Sequence, residues 1–412
     1  MSAAQNFKSK TFAALSVRNF RLYVFGQLVS VSGTWMQSVA QGWLILQISG
    51  SSVDLGVAVA LQYVPMLVIG SYGGVIADRH DKRHILYATQ GGAGLLALAL
   101  GVMVTTHHVT ITAVYVLAAL LGVVNLFDVP ARQAFVQQMV GRDLIANAVS
   151  LNSVLMNAGR LIGPGIATAF IAAFGTAVCF YANAVSYVAV LTALALMRSH
   201  EFLPMKTVTR EKGQLRLGIA YVRANPDLRR AVLAVAVVGM FAFNFTITLP
   251  LLAYNTFHQQ TAAQYGLMMG AMGFGAIIGG LGIAYRSRPT PGLLAMLAVG
   301  FGASLTLVAI APTVHWSEIL LIPTGAFSVA FVSTGNATLQ LNSSSAMRGR
   351  VMSLYGIAFF GTTPIGAPLM GLIIKMSDPR TGLLVGSSLT LLVGAWLATS
   401  YLRTPAKVLE PV

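Results

Sequence analysis

A few charged and amide side chains interrupt the long apolar segments of this 412-residue sequence. Ser153, Asn157 and Arg160 are spaced four and three residues apart, so a helix places them on one face. A charge within an apolar segment is costly, and such residues mark binding sites or ion pathways. Arg160 therefore predicts a site that binds an anionic group or tunes a nearby acid. The alternative is a structural contact with Asp128 or with backbone carbonyls.

Asp128 and Arg132 are the second charged pair within an apolar segment, one helical turn apart. Two interpretations of Asp128 stay open: a carrier of transported protons, or one half of a salt bridge that closes an inner gate. Asp54 and Glu318, at the ends of other apolar segments, are the remaining candidates for proton coupling. The seven histidines lie in or near loops, so they do not suggest a proton relay.

The first apolar segment also carries a polar stripe at helical spacing, with two tryptophans close by. Polar groups that faced lipid would lack hydrogen-bonding partners, so the stripe predicts an internal cavity. Shorter stripes with the same meaning recur in the second half of the chain. The predicted substrate-binding residues are Gln27, Thr34, Trp35, Gln41, Asn157, Arg160, Asn244, Thr248, Asn336 and Gln340.

Apolar helices long enough to cross a bilayer must hold these residues, since each crossing needs about 20 residues. The sequence is 56% hydrophobic and 9% charged, whereas soluble domains carry about 25% charged residues. It therefore predicts an all-α integral membrane protein with twelve transmembrane helices. The predicted spans lie near residues 20–47, 54–77, 84–106, 109–137, 147–174, 177–197, 231–257, 263–285, 291–311, 316–341, 351–376 and 382–402.

The positive charge alternates from loop to loop. Of 26 Lys and Arg residues, 23 lie at the termini or in every second loop, and only Lys375 and Arg380 lie on the opposite side. Positive loops remain in the cytoplasm, so both termini are predicted to be cytoplasmic. The net charge of +15 thus reflects orientation in a membrane and does not indicate binding to nucleic acid.

The long basic loop divides the chain into two six-helix bundles, residues 1–197 and 231–412, joined by a cytoplasmic linker at 198–230. Within the linker, Leu215, Ile219 and Val222 recur at helical spacing, which predicts a short amphipathic helix on the inner leaflet. Two pseudosymmetric six-helix bundles that rock about a midplane cavity are typical of secondary transporters.

The loop after the second span carries a glycine, an acid and several bases at fixed spacing: Gly74, Asp78, Arg79, Lys82 and Arg83. Glycine permits close helix contact. Asp78 lies at the cytoplasmic end of its span, where the positive N-terminus of the eleventh span is available to it. We predict a latch between the halves. The segment resembles the signature loop of the major facilitator superfamily, with Asp81 where glycine is usual and Lys82 where arginine is usual.

A second string of residues runs from Asn125 to Phe135 and from Asn147 to Pro164. It resembles the branch that contains bacterial enterobactin exporters and macrolide-efflux-type proteins. Its segment Gly159-Arg160 to Gly163-Pro164 also resembles the fifth-span motif of drug/proton antiporters. These resemblances imply proton-driven export of a bulky amphipathic compound. Physically, the glycines allow close packing and Pro164 bends the helix, as a hinge, a seal or a static kink.

Several function classes lack their motifs in this sequence. There is no phosphate-binding Gly-x-x-x-x-Gly-Lys-Ser/Thr loop, no nucleophile elbow and no Cys/His cluster, and Cys179 is the single cysteine. We therefore predict no enzyme activity, no cofactor and no metal. The predicted conformational residues are Gly74, Asp78, Arg79, Lys82, Arg83, Asp128, Arg132, Gly159, Gly163 and Pro164.

The prediction is a bacterial inner-membrane secondary transporter, a monomer in contact with lipid. It exports a small amphipathic compound, a drug or a siderophore-like molecule, by alternating access, with protons as the coupling ion. One alternative is an importer or facilitator of a small anionic metabolite. From another class, the alternative is a non-transporting membrane sensor or assembly protein.

Overall fold

The computed structural model describes residues 12–203, 214–259, 261–286, 290–344 and 347–402. Every regular element in these ranges is helical. The side chains of some helical residues, Gly74, Asp78 and Arg142 among them, lie outside the described set.

Six long helices form the first half of the chain and six more the second. The first six are α1 Arg18–Ser49, α2 Ser52–Arg79, α3 Lys82–Thr105, α4 Ile111–Gly141, α5 Asp143–Phe174 and α6 Thr176–Leu196. The others are α7 Pro226–Thr256, α8 Ala262–Arg286, α9 Pro291–Ala309, α10 Val314–Leu341, α11 Arg348–Met376 and α12 Pro379–Leu402. A shorter linker helix, Gln214–Ala224, precedes α7.

Eleven helices of the described part, in α2 to α12, are long and apolar enough to cross a membrane. The remaining long helix, α1, has 32 residues, but its polar stripe lowers its mean hydropathy. The predicted all-α membrane architecture is confirmed. The count of twelve crossings and the cytoplasmic location of the termini stay predictions.

Local sequence explains where the helices begin and end. The side chains of Ser51, Thr110, Thr290 and Thr313 each accept a hydrogen bond from a backbone N–H in the first turn of the following helix. Between α4 and α5, Gly141 adopts a φ of 73°, which is strained for other residues and separates the two helices.

The chain divides into two compact units. The first contains Met1–Thr209 with Gln260–Gly270, and the second contains Arg210–Gln259 with Ala271–Val412. In the first unit, an apolar cluster from α1, α3, α4 and α6 includes Phe20, Tyr23, Leu86, Phe135 and Leu194, all at most 2% exposed. The domain boundaries drawn from the sequence stay a prediction.

The linker helix lies against protein in the second unit, whereas the sequence predicted an apolar face on the inner leaflet. Val222 is buried, and Gly218 faces the Arg350 side chain and the Leu354 side chain of α11. The backbone N–H of Ser344 donates to the Tyr221 hydroxyl at 3.2 Å. That hydrogen bond lowers the pKa of Tyr221. The apolar residues thus find a protein surface to cover, which periodicity alone does not distinguish from lipid.

Two glycines of α5 bring it into close contact with α1. A Cβ on Gly163 would lie 2.5 Å from the Ser32 carbonyl oxygen and 2.6 Å from the Trp35 Cβ, and Gly159 meets Val31 in the same way. The predicted close packing of this glycine motif is therefore present. The helix continues through Pro164 without leaving helical geometry.

We expect Gly163→Ala to destabilise the protein by about 1–3 kcal/mol, because the added methyl group meets rigid backbone. Gly165→Ala is the matched control: nothing lies within 4 Å of its Cβ position, and alanine stabilises a helix by about 0.5–1 kcal/mol relative to glycine. Melting temperatures in detergent should fall for the first variant and hold or rise for the second. Equal changes in melting temperature for the two variants would contradict the close contact between Gly163 and α1.

Candidate transport site

A buried carboxylate forms the centre of a polar network in the first unit. Asp128 on α4 is 2% exposed. Its Oδ2 lies 2.6 Å from the guanidinium of Arg132. Its Oδ1 accepts hydrogen bonds from the Thr89 hydroxyl at 2.9 Å and from the Gln90 amide at 2.6 Å, both on α3. Charge-assisted bonds of this kind are the strong ones, and they compensate the cost of burying the charge.

The network continues to α1. Arg132 donates to the Gln27 Oε1 at 3.3 Å, and Gln27 is 2% exposed. Within the described part of the chain, the Tyr23 hydroxyl, the Gln27 Nε2 and the Gln90 Oε1 are buried without a hydrogen-bond partner. Unsatisfied buried polar atoms are rare and call for an explanation such as a bound water or a transferred proton.

Arg160 stacks on an aromatic ring instead of pairing with an acid. Its guanidinium lies 4.8 Å from the centroid of Trp35 on α1, and both residues are half-buried. Asp128 pairs with Arg132 and not with Arg160. Among the described residues, no carboxylate is within ion-pair distance of Arg160. A desolvated cation on an aromatic face can bind an anionic group of a ligand.

Three other predicted binding residues, Asn157, Thr34 and Gln41, differ in exposure and in their hydrogen bonds. The half-buried Asn157 donates to the Ser153 carbonyl at 2.9 Å, one turn earlier in α5. On α1, Thr34 is exposed and donates to the Ser30 carbonyl at 2.9 Å, and Gln41 is half-buried. The stripe of α1 therefore divides: Gln27, toward the N-terminus of the helix, joins the Asp128 network, whereas Thr34 in the middle is exposed.

A buried amide pair between α1 and α6 was not predicted. Asn183 donates to the Gln37 Oε1 at 2.6 Å, and the Ser186 hydroxyl donates to the Asn183 Oδ1 at 2.9 Å. Gln37 follows Thr34 by three residues and precedes Gln41 by four, so it lies at the edge of the polar stripe and helical periodicity could have selected it. A polar amide within each of two apolar segments, Gln37 and Asn183, also indicated that the two side chains need a buried partner.

In the second unit, the predicted polar residues bond within their own helices. Asn244 is 5% exposed and donates to the Met240 carbonyl at 2.8 Å. Thr248 donates to the Asn244 carbonyl at 3.1 Å. On α10, Gln340 donates to the Asn336 Oδ1 at 2.6 Å. These two pairs belong to different helices, α7 and α10.

The signature loop contributes a clamp between two helix ends. Arg83 at the start of α3 donates to the Leu194 carbonyl and to the Ser199 hydroxyl at 2.6 Å, and so holds the end of α6. Asp81 caps α3 by accepting from the His84 N–H at 3.0 Å, which explains an acid where glycine is usual.

The remaining loop residues give less information. Arg79 is exposed and Lys82 half-buried. Gly74 and the side chain of Asp78 lie outside the described set, so the predicted latch stays a prediction.

The acids at the other helix ends each have a hydrogen-bond or ion-pair partner. Asp54 accepts from the Tyr115 hydroxyl at 2.8 Å, and Glu318 lies 3.2 Å from a ring nitrogen of His315. Asp378 accepts from the backbone N–H groups of Thr381 and Arg380. These bonds to the start of α12, Thr381 first, lower the pKa of Asp378.

Comparison with known families identifies the chain. The model of the family described as Transmembrane secretion effector matches residues 9–408. The chain belongs to this family, within the major facilitator superfamily. Members of this superfamily are transporters and not enzymes, which agrees with the prediction of no enzyme activity. The chain is a multi-pass protein of the bacterial inner membrane.

Curated relatives of this superfamily member span nearly its whole length. It is 25% identical to the Staphyloferrin A transporter of Staphylococcus aureus, over 82% of this chain and 85% of that one. It is 25% identical to the Multidrug efflux pump Tap of Mycolicibacterium fortuitum, over 90% and 93%. It is 27% identical to the Enterobactin exporter EntS of Escherichia coli, over 94% of both. The predicted resemblance to enterobactin exporters is confirmed.

Solved structures share the fold at low sequence identity. A bacterial homolog of the human lysosomal transporter Spinster has a TM-score of 0.74 at 11% identity, over 94% of this chain and 98% of that one. The nucleoside transporter NupG has a TM-score of 0.71 at 12% identity, over 94% of this chain and 100% of that one. Both likenesses concern the fold alone.

Proposed function

We propose that this major facilitator superfamily transporter exports a small amphipathic compound by alternating access, in exchange for protons. The observation that carries the proposal is the stack of Arg160 on Trp35. A cation and an indole surface in one place suit a compound that combines an anionic group with an aromatic or apolar body. Thr34, Gln41 and Asn157 would supply hydrogen bonds around it. Gln27 and, in the second unit, Asn244, Thr248, Asn336 and Gln340 stay candidate binding residues on the strength of the sequence.

Export is favoured by the relatives. One is named an enterobactin exporter and another a multidrug efflux pump. A siderophore or a drug-like compound is therefore the substrate class to test first. The alternative, import of a small anionic metabolite, draws on the same Arg160, whose guanidinium has no carboxylate partner among the described residues.

Asp128 is our candidate for proton coupling. Its carboxylate is buried and accepts three short contacts from Thr89, Gln90 and Arg132. Protonation would weaken the contact to Arg132 and so link proton uptake to a rearrangement of α3, α4 and α1. Asp54 and Glu318 are weaker candidates, because each is near a helix end with a local partner.

Conformational cycling involves, in this proposal, the signature loop and the glycine motif of α5. Gly74, Asp78, Arg79, Lys82 and Arg83 would act in gating, and Gly159, Gly163 and Pro164 would let α5 move against α1. We further propose that the transporter works as a monomer, in contact with lipid and without metal, cofactor or nucleic acid.

The test uses inverted membrane vesicles energised with an inward-acidic proton gradient. Labelled enterobactin and, separately, ethidium are supplied outside. The expected result is accumulation inside the vesicles that requires the protein and stops when a protonophore collapses the gradient, because an antiporter exchanges internal protons for external substrate.

Two outcomes would contradict the proposal. Accumulation that is insensitive to the protonophore would exclude proton coupling. Uptake into right-side-out vesicles, with none into inverted ones, would favour the importer.

A further inference from the structure

Two helices of the second unit are interrupted near their midpoints. In α7, helical geometry stops between Phe241 and Phe245. In α11, the regular helical segments end at Phe360 and resume at Thr363, with 13 and 14 residues, and a turn of right-handed φ and ψ at Gly361 and Thr362 separates them. At about 1.5 Å per residue, each interruption lies near the middle of a bilayer about 30 Å thick.

The two interruptions lie side by side. The rings of Phe243 and Phe359 are 5.0 Å apart between centroids and nearly perpendicular, at 76°. A Cβ on Gly239 of α7 would lie 3.2 Å from the Phe359 ring, and Gly366 of α11 meets the Met240 carbonyl. Both helices thus lose regular geometry at the same depth and in contact.

Irregular backbone at membrane depth is tolerated only where protein buries it or where it lines a cavity. On one side, the Phe241 carbonyl of the break packs against Gly386 of α12, 2.7 Å from that glycine's Cβ position. Side chains satisfy part of the freed backbone, since the Asn244 amide bonds the Met240 carbonyl and the Thr362 hydroxyl bonds the Ala358 carbonyl. This side is closed packing.

Aromatic rings occupy the side of the interruptions that is not packed against Gly386 of α12. The exposed fraction of these rings increases with distance from the protein core. Phe301 and Phe245 are 0% and 4% exposed and support Phe243 at 5.4 and 6.0 Å. Phe243 and Phe359 are half-buried, and the neighbouring Phe360 is 41% exposed. Part of the Phe243 and Phe359 rings is thus accessible while their neighbours hold them in place, and such rings can stack with another ring.

We propose that the paired breaks of α7 and α11 form a binding site for a planar aromatic ring, with Phe243 and Phe359 as its walls. Substrate sites of secondary transporters are typically built from discontinuous helices near the midplane. The stacked Tyr355, parallel to Phe359 within 7° at 6.2 Å, extends the aromatic surface along α11. The inference deepens the proposed function, on which it rests, by assigning an aromatic group to the substrate.

The test compares two anions of equal charge, tetraphenylborate and tetrabutylborate, by equilibrium dialysis against purified protein in detergent. We expect Phe243→Leu and Phe359→Leu each to weaken binding of the phenyl compound about twofold to tenfold, the worth of an aromatic pair. Binding of the butyl compound should not change. Phe359→Trp should still bind the phenyl compound more tightly than the butyl compound, because tryptophan keeps an aromatic face.

Phe274→Leu is the matched control, because Phe274 on α8 is 49% exposed and lies outside the aromatic group. If Phe243→Leu and Phe359→Leu weaken binding of both compounds equally, the two phenylalanines contribute packing and not ring recognition. A wild-type protein without preference for the phenyl compound would overturn the site. Neither result depends on a proton gradient, so failure of this site and failure of antiport are distinguishable.

Discussion

Asp128→Asn is expected to lower the free energy of unfolding by about 3 kcal/mol, because it leaves Arg132 without its charge partner in a mostly buried setting. The Arg132 side chain is 22% exposed and that of Asp128 3%. Asparagine also replaces one carboxylate oxygen by an NH₂ group, which must face either the donors Thr89 and Gln90 or the guanidinium of Arg132, so one side of the network loses its acceptor. The melting temperature in detergent and proton-driven uptake into inverted vesicles should both fall sharply.

Two further variants separate charge from shape. Asp128→Leu combined with Arg132→Met should recover much of the lost stability, since removing both charges removes the unpaired one. Transport should remain lost. Glu201→Gln is the control: Glu201 lies 3.2 Å from Arg198, and the two side chains are 30% and 57% exposed, so we expect a change of at most about 1 kcal/mol. Gradient-driven transport by Asp128→Asn at the wild-type rate would end the coupling role.

Arg160→Ala is expected to reduce transport at least tenfold while changing the melting temperature little. Arg160 has no ion-pair partner among the described residues, so its removal leaves no unpaired charge behind. What the variant loses is the cation on Trp35, 4.8 Å from the ring centroid. Initial rates of labelled enterobactin uptake into inverted vesicles measure the effect.

Conservative variants show whether stacking or charge matters. Lysine keeps the charge but lacks the planar fork that lies on a ring, so Arg160→Lys should remain impaired. Trp35→Phe should retain more transport than Trp35→Leu, because phenylalanine still offers an aromatic face. Arg198→Ala, at a pair whose arginine side chain is 57% exposed, should transport normally. Equal rates for Arg160→Ala and wild type would remove this residue from the site.

The positions of the helices were largely predictable from the sequence, because a segment that crosses a bilayer must be apolar over about 20 residues. Each long apolar stretch became a helix, and the ends of α2 and α6 differ from the predicted spans by at most two residues. Intramembrane charges are rare, so Arg160 and Asp128 could be selected without knowing the fold. Gly159 and Gly163 predicted close packing, which the structure shows against α1.

The partners were not predictable. Periodicity tells which residues share a face of one helix, but not which helix lies opposite. Asp128 meets Thr89 and Gln90 across a separation of 39 and 38 positions, and Asn183 meets Gln37 across 146. The linker helix likewise faces protein where lipid was expected.

The break in α7 shows the same limit within a single helix. Its irregular residues, Ala242 to Asn244, include no proline or glycine, whereas α4 continues through Pro130. The Asn244 amide donates a hydrogen bond to the Met240 carbonyl, which the interrupted helix leaves without its usual backbone donor. Phe243, within the break, packs against Phe359 of α11.

The sequence by itself determined that this chain is a helical membrane protein, because hydrophobic length and charge placement are properties of local composition. Only the tertiary structure decided which buried groups meet, Asp128 with Arg132 and α3, Arg160 with Trp35, and the two interrupted helices with each other. The physical reason is that hydrogen bonds and ring contacts act over a few ångströms, between residues whose separation along the chain carries no information about that distance.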